Sequence, residues 1–310
     1  MTKTAKAFAP GAISSFFHIH DSVAGKPLVD FNRMGSVGGG FGLERGVYTT
    51  VTVVESKKNT INVEINGVAT HAKTTQQIIE TLLAKTPKTY AIKVEHKIEV
   101  PIGMGFGTSA SGSLTAGLAL KEAANLPLTY NQIGQAAHHA EITCQTGLGT
   151  ISSLTSGSGL ILVIKPGAPG FCKTDRIPIS PNFIVVLGYC PSLIPKKPVF
   201  TSPEKKEEIN RQGKKTLRTI LAKPSLENFL AQCKLFSEKS GYSNETVRRL
   251  IQASERAGAV GAAQNMIGEA VHAVVHEQNA YRVEEAFKQI LPKEQVFNSR
   301  IDFQGARLIK

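Results

Sequence analysis

The sequence predicts a soluble chain of two folded units that mixes strands with helices. Its 310 residues exceed the usual size of one domain. Apolar residues make up 41% and charged ones 19%, an ordinary globular balance that argues against disorder. A Pro/Gly stretch, Lys165-Pro166-Gly167-Ala168-Pro169-Gly170, separates a part with clear strand tracts from a part that is mostly helical in pattern. The expected units are therefore 1–175 and 176–310.

Val47 to Glu55 and Asn59 to Val68 have strand character and are joined by polar Ser56-Lys57-Lys58, which predicts an antiparallel hairpin. Thr74-Thr75 then cap an expected helix with Ile78, Ile79, Leu82 and Leu83 on one side. In Tyr90 to Val100, Ile92, Val94, Ile98 and Val100 alternate with Lys93, Glu95, Lys97 and Glu99, so this strand has one wet face. Ser109 to Asn125, rich in alanine and leucine, predicts a helix ended by Asn125 and Pro127. Thr129-x-x-Gln132 is a capping box for a further helix reaching about Thr143, and a TGLGT turn leads to a strand at Leu160 to Ile164. Beyond the boundary, Phe183 to Tyr189 is a short buried strand, and Pro191 to Pro203 is a proline- and lysine-rich surface connection. Helices are expected at Glu204 to Leu221, Leu226 to Lys239, Asn244 to Ala257 and Arg282 to Ile290. Gly258 to Val275 reads as a glycine-rich turn entering a helix.

The net charge of +12 invites a nucleic-acid reading. The lysines and arginines are scattered, however, without interleaved aromatics or a binding module, so no nucleic-acid partner is expected; attraction of small anions is. Cys144, Cys172, Cys190 and Cys233 lie far apart with no C-x-x-C pair, as buried reduced thiols of a cytoplasmic protein would. Pro10-Gly11 interrupts the first apolar run, and Ser14, Ser15 and His18 dilute it, which argues against a signal peptide. No window reaches a membrane-spanning apolar length.

The chemistry centres on PIGMGFGTSASGS, Pro101 to Ser113. No Gly-Lys-Ser/Thr follows the glycines, which excludes a Walker-type loop. Gly105-x-Gly107-x-x-Ala110 fits a relaxed dinucleotide fingerprint, but two observations oppose that reading. The preceding strand has a charged face, unlike an interior parallel strand, and Glu122, near the spacing of the required acid, falls inside a helix. An anion cradle at a helix N-terminus remains: Gly103, Gly105 and Gly107 allow close backbone approach, while Thr108 and Ser109 add hydroxyls. A turn that merely packs a helix on a sheet is the alternative.

Pro101-x-x-x-Gly105-Phe106-Gly107-Thr108-Ser109-Ala110-Ser111 resembles the P-x-x-x-G-L-G-S-S-A-A loop of the GHMP kinases. Ala9-Pro10-Gly11 is similar to that superfamily's first motif, and Glu141 stands before a glycine-rich turn where these kinases place a magnesium-binding glutamate. Within the superfamily, FAPGAISSFF, GSVGGGFGLERGV, AHHAEITCQTGLG, KPGAPG and AAQNMIGEAV resemble segments of the archaeal pantoate kinases, over most of the chain. The resemblance implies a two-domain α+β GHMP kinase fold, ribosomal protein S5 domain 2-like in its N-terminal part and ferredoxin-like and helix-rich in its C-terminal part. It also implies a cytoplasmic homodimer that transfers phosphate from ATP, with Mg²⁺, to the terminal hydroxyl of pantoate.

On that resemblance, Gly103, Gly105, Phe106, Gly107, Thr108, Ser109, Ala110 and Ser111 would hold ATP, and Glu141 with Ser109 the metal. The plainer roles are an exposed helix-end glutamate and an N-capping serine. His138, Arg45, Gly39 and Gly40 would face pantoate; a structural histidine and a solvated Glu44-Arg45 hairpin are the alternatives. The sequence departs from the family at three places. Thr150 occupies the position of a catalytic aspartate, Leu160 to Ile164 lacks an expected arginine, and Ala12 stands where mevalonate kinase-like members carry lysine. A threonine cannot accept a proton at neutral pH as a carboxylate can, although phosphoryl transfer depends mainly on positioning and electrostatics. Asp21, Asp30 or another acid could supply the carboxylate in space. In order, the readings are a pantoate kinase, a kinase of another small hydroxy acid, and a nucleotide-binding relative without turnover.

Overall fold

The computed structural model describes residues 2–191 and 202–310. The expected Pro191–Pro203 connection lies largely outside the described residues. Two antiparallel-rich sheets with helices packed against them give the α+β class.

The first sheet has eight strands in the order β14-β1-β4-β7-β5-β6, with β8 on β4 and β9 on β8. Its members are β1 (Thr2–His20), β4 (Gly35–Glu55), β5 (Thr60–Ile65), β6 (Val68–Ala69), β7 (Tyr90–Ile98), β8 (Leu160–Lys165), β9 (Lys173–Ile177) and β14 (Arg307–Ile309). A two-strand ribbon of β2 (Ser22–Val23) and β3 (Lys26–Pro27) sits aside. Helices α1 (Lys73–Leu83), α2 (Thr108–Ala123) and α3 (Tyr130–Thr143) bury Ile78, Ile79, Leu82, Leu114 and Ile133 in one core with Val51, Ile92 and Val94 of the sheet. The capping box at Thr129 and Gln132 forms as expected, both reciprocal hydrogen bonds being present. A six-residue helix, α4 (Thr150–Thr155), follows the TGLG turn.

The second sheet, in the order β11-β12-β10-β13, uses β10 (Phe183–Tyr189), β11 (Gly261–Gln264), β12 (Ala270–His276) and β13 (Val296–Arg300). One face carries α7 (Glu245–Arg256) and α8 (Ala280–Lys288), whose Leu250, Ile251, Val283 and Phe287 pack on Val186 and Val271. The other face meets the first sheet and α6 (Leu226–Lys239), so that Phe16, Phe41 and Leu162 share a core with Leu187, Val274 and Phe229. α5 (Pro203–Ala222), capped by Ser202, runs along β1. The Lys165–Gly170 stretch joins β8 to β9 within the first sheet, and the chain passes to the second sheet between Ile177 and Phe183.

Three local expectations are corrected. Val47 to Val68 is not a hairpin: β7 inserts between β4 and β5, pairing antiparallel with β4 and parallel with β5. Helix α1 is the crossover that makes the parallel pair possible. Thr74 and Thr75 do not cap α1; they are buried inside its first turn, where Thr75 bonds to His96. Gly258 to Val275 enters no helix but forms the β11–β12 hairpin, because Ala270 to Val275 is buried on both faces between β10 and β11. Of the cysteines, all free, only Cys233 is buried and the other three are half-buried.

The cores enclose neutral histidines. His96 bonds to Thr49 at 2.7 Å and Thr75 at 3.0 Å, and burial lowers it from 6.5 to about 4. Burial likewise lowers His138 to about 4 and His272 to about 3. Between pH 6.5 and 4 the unfolded chain binds protons that the folded chain refuses. The stability is therefore whole above pH 6.5 and is lost as pH falls through that window, at about 1.4 kcal/mol per pH unit for each histidine. Melting curves at pH 7 and pH 5 are expected to show a marked drop in Tm, reduced in His96→Gln. Equal Tm values at both pH values would contradict it.

Candidate active site

The glycine loop lies between β7 and α2. Gly103, Gly105 and Gly107 have φ of +84°, +84° and +63°, a region closed to most side chains. The loop is fastened to β1 at two points: Ala12 N donates to Phe106 O at 2.9 Å, and Ser111 Oγ donates to Pro10 O at 2.7 Å. Phe106 is buried, 5.7 Å ring to ring from Phe297, and anchors the loop. Ser111 is fully buried and acts as a bolt between α2 and β1, away from the cleft.

Gly107, the residue before α2, provides no side-chain cap. The first N–H groups of a helix have no intrahelical partner, so Thr108, Ser109 and Ala110 present a partial positive end toward the cleft they line. Ser109 is not a capping residue. Its hydroxyl donates to Glu141 Oε1 at 2.5 Å, and Thr74 Oγ1 lies 3.1 Å from the same Ser109 oxygen. Thr146 donates to the same Oε1 at 2.5 Å. Glu141 is 3% exposed on the last turn of α3, which contradicts a solvated helix-end role. Gly147 passes so close that a Cβ there would overlap Oε2.

Among the described residues no group of three or more His, Cys, Asp or Glu side chains gathers to hold a metal. A hard cation of the Mg²⁺ kind is commonly held by one carboxylate together with substrate phosphates and water. The all-oxygen set of Glu141 and Ser109 beside an anion cradle fits that pattern.

Thr150, the first residue of α4, lines both this cleft and a smaller adjoining cavity. Gly38 to Gly42, Ser14, Ser36, Ser153 and Ser158 also line the cavity. Gly39 and Gly40 border it, and close packing is what demands glycine: a Cβ on Gly40 would run into Ile13 O, and one on Gly39 into Leu162. Two expected substrate contacts lie elsewhere. His138 is fully buried, with Nε2 2.9 Å from Met34 O, and lines neither space. Arg45 is exposed on β4 with its guanidinium 5.4 Å from the Phe297 ring centre, outside both.

Asp21 is ion-paired with Lys206, and Asp30 lies 3.5 Å from Arg33 at the surface; neither lines the cleft. Among the described residues lining it, Glu141 is the one carboxylate. Sequence reading missed Gln145, Met266 and Ile267 as cleft residues. The AAQNMIGEAV segment marked the region of the last two without indicating that it folds back onto the glycine loop.

Residues 73–157, which hold α1, the loop, α2 and the Glu141 turn, match the model for the GHMP kinases N terminal domain. The chain is 28% identical over 295 residues to a pantoate kinase of Thermococcus kodakarensis, covering 92% of this chain and 91% of that one. It is 27% identical to a pantoate kinase of Methanocaldococcus jannaschii, covering 84% and 89%. A solved structure described as a phosphotransferase related to the CoA biosynthesis pathway superposes with a TM-score of 0.85 at 24% identity, over 99% of this chain and 98% of that one.

Proposed function

The chain belongs to the GHMP kinases, and from that premise we propose that it transfers the γ-phosphoryl group of ATP to the terminal hydroxyl of pantoate, giving 4-phosphopantoate and ADP. The observation that carries this reading is the Ser109–Glu141 pair at the uncapped start of α2, directly beside the glycine loop. Backbone N–H groups of Thr108 to Ala110 bind the phosphates, and Glu141 with Ser109 would hold Mg²⁺, which when bound offsets charge on the β- and γ-phosphates. The acceptor oxygen forms the new P–O bond as the bond to the β-phosphate oxygen breaks. Thr150, bordering both spaces, orients the acceptor hydroxyl. In a loose transition state that hydroxyl loses its proton late, so an oxygen of the transferred phosphoryl group can take it without a carboxylate at position 150.

Incubation with ATP, Mg²⁺ and pantoate, following both ADP and phosphopantoate, tests the reading. Absence of product sinks it, and ADP formation with mevalonate or homoserine instead moves the substrate. Thr150 favours a second reading, nucleotide binding without turnover, which predicts ATP affinity and no ADP. Thr150→Asp is expected to preserve or raise kcat by supplying a base. Loss of all turnover in that variant would show that the turn has been rebuilt around threonine.

A further inference from the structure

A buried polar chain that takes no part in the proposed reaction lies behind the cleft. Ser15 is the extra residue of a bulge in β1, where Ser14 pairs with Gly40 and Phe16 with Gly39. Its Oγ is 2.9 Å from His272 Nε2, and His272 Nδ1 is 2.7 Å from Asn265 Oδ1. All three side chains are fully buried. An amide oxygen only accepts, so His272 carries its proton on Nδ1 and Nε2 receives the Ser15 hydroxyl. Every bond in the chain then has one direction, which ties β1, β12 and the β11–β12 tip into one arrangement.

The tip bears directly on the glycine loop. A Cβ on Gly105 would come 3.1 Å from Asn265 Cβ, and one on Gly268 would come 2.7 Å from Met104 O. Met266 N donates to Ser14 O at 2.7 Å, and Met266 and Ile267 line the cleft. The loop therefore rests on a support whose place is set from inside the core.

We infer that Ser15, His272 and Asn265 form a positioning set that holds the β11–β12 tip against the glycine loop and so sets the affinity for ATP, not for the acceptor. The inference rests on the reading of this loop as the ATP site. Removing one member leaves a buried group unpaired and frees the tip, which is expected to raise the Kd for a non-hydrolysable ATP analogue about tenfold in Ser15→Ala and in Asn265→Ala. The acceptor KM should stay within about twofold, since these side chains do not line the smaller cavity beside Thr150, the residue that orients the acceptor hydroxyl. Because the set acts as a unit, the double variant should bind about as weakly as either single one.

Asn228→Ala, which removes bonds to Thr219 O and Lys223 O in the α5–α6 connection, serves as the control and should lower Tm without moving Kd. Should Ser15→Ala fail to fold, Ser15→Cys carries the same test, its thiol being a weaker donor of similar size. Variants that bind the analogue as tightly as the parent overturn the inference, as does additive weakening. A parent chain that binds no analogue overturns the underlying ATP reading instead.

Discussion

Glu141→Gln is expected to lower kcat about a thousandfold while leaving the fold intact. Glutamine has the shape of glutamate, and its Oε1 still accepts from Ser109 and Thr146, so the turn after α3 keeps its bonds. What it loses is the negative charge that would hold a cation against the nucleotide phosphates, and transfer of a phosphoryl group depends chiefly on such charge placement. Steady-state rates and a Mg²⁺ titration read the two effects together: kcat falls and the metal concentration for half-maximal rate rises. A variant retaining kcat within about threefold would remove Glu141 from the metal role.

The second large effect concerns the loop. Gly107→Val should weaken ATP binding about a hundredfold, since a β-branched residue at φ +63° is strained and its Cβ would lie 2.9 Å from both Cβ and O of Ala12. The collision pushes α2 from β1 just where the helix N–H groups meet the phosphates. Gly67→Ala separates strain from collision: Gly67 has φ +80° but open space around it, so that variant should lower Tm slightly and leave ATP affinity unchanged. Calorimetric titration with a non-hydrolysable analogue checks both, and equal weakening by the two substitutions would show that the loop's shape is not what matters.

The parts of this molecule legible in the sequence are those whose cause is local. The alternation in Tyr90 to Ile98, the capping box at Thr129 and the amphipathic helices of the second half all follow from neighbours a few positions apart. What escaped depends on distant partners. A strand arriving from residue 90 splits the apparent hairpin at 47–68, and no pattern within that hairpin announces it. The start of β4 hides behind glycines that exist because β1 and β8 press against them. The glycine loop and Glu141 were legible as a motif, and their meeting only through the resemblance, whereas nothing in the sequence indicated the approach of residue 265 to residue 105. His138 was drawn toward the site by its closeness to Glu141 in sequence. Residues three apart on a helix point about 60° apart, enough here to send one side chain to Ser109 and the other to Met34.

The pairing of β14 with β1 bears on how the chain folds. Lys6 stands opposite Ile309 and Phe8 opposite Arg307, so the first sheet gains this strand only once residues some three hundred positions apart have met. Such distant pairing is entropically costly and slow to form. During synthesis, β1 emerges long before β14 and waits with one side open, a state prone to pairing with other chains. Refolding should accordingly show a late phase in which protection of Lys6 to Phe8 amides lags behind that of α2, and a chain cut after Ile177 should aggregate more readily than the whole protein.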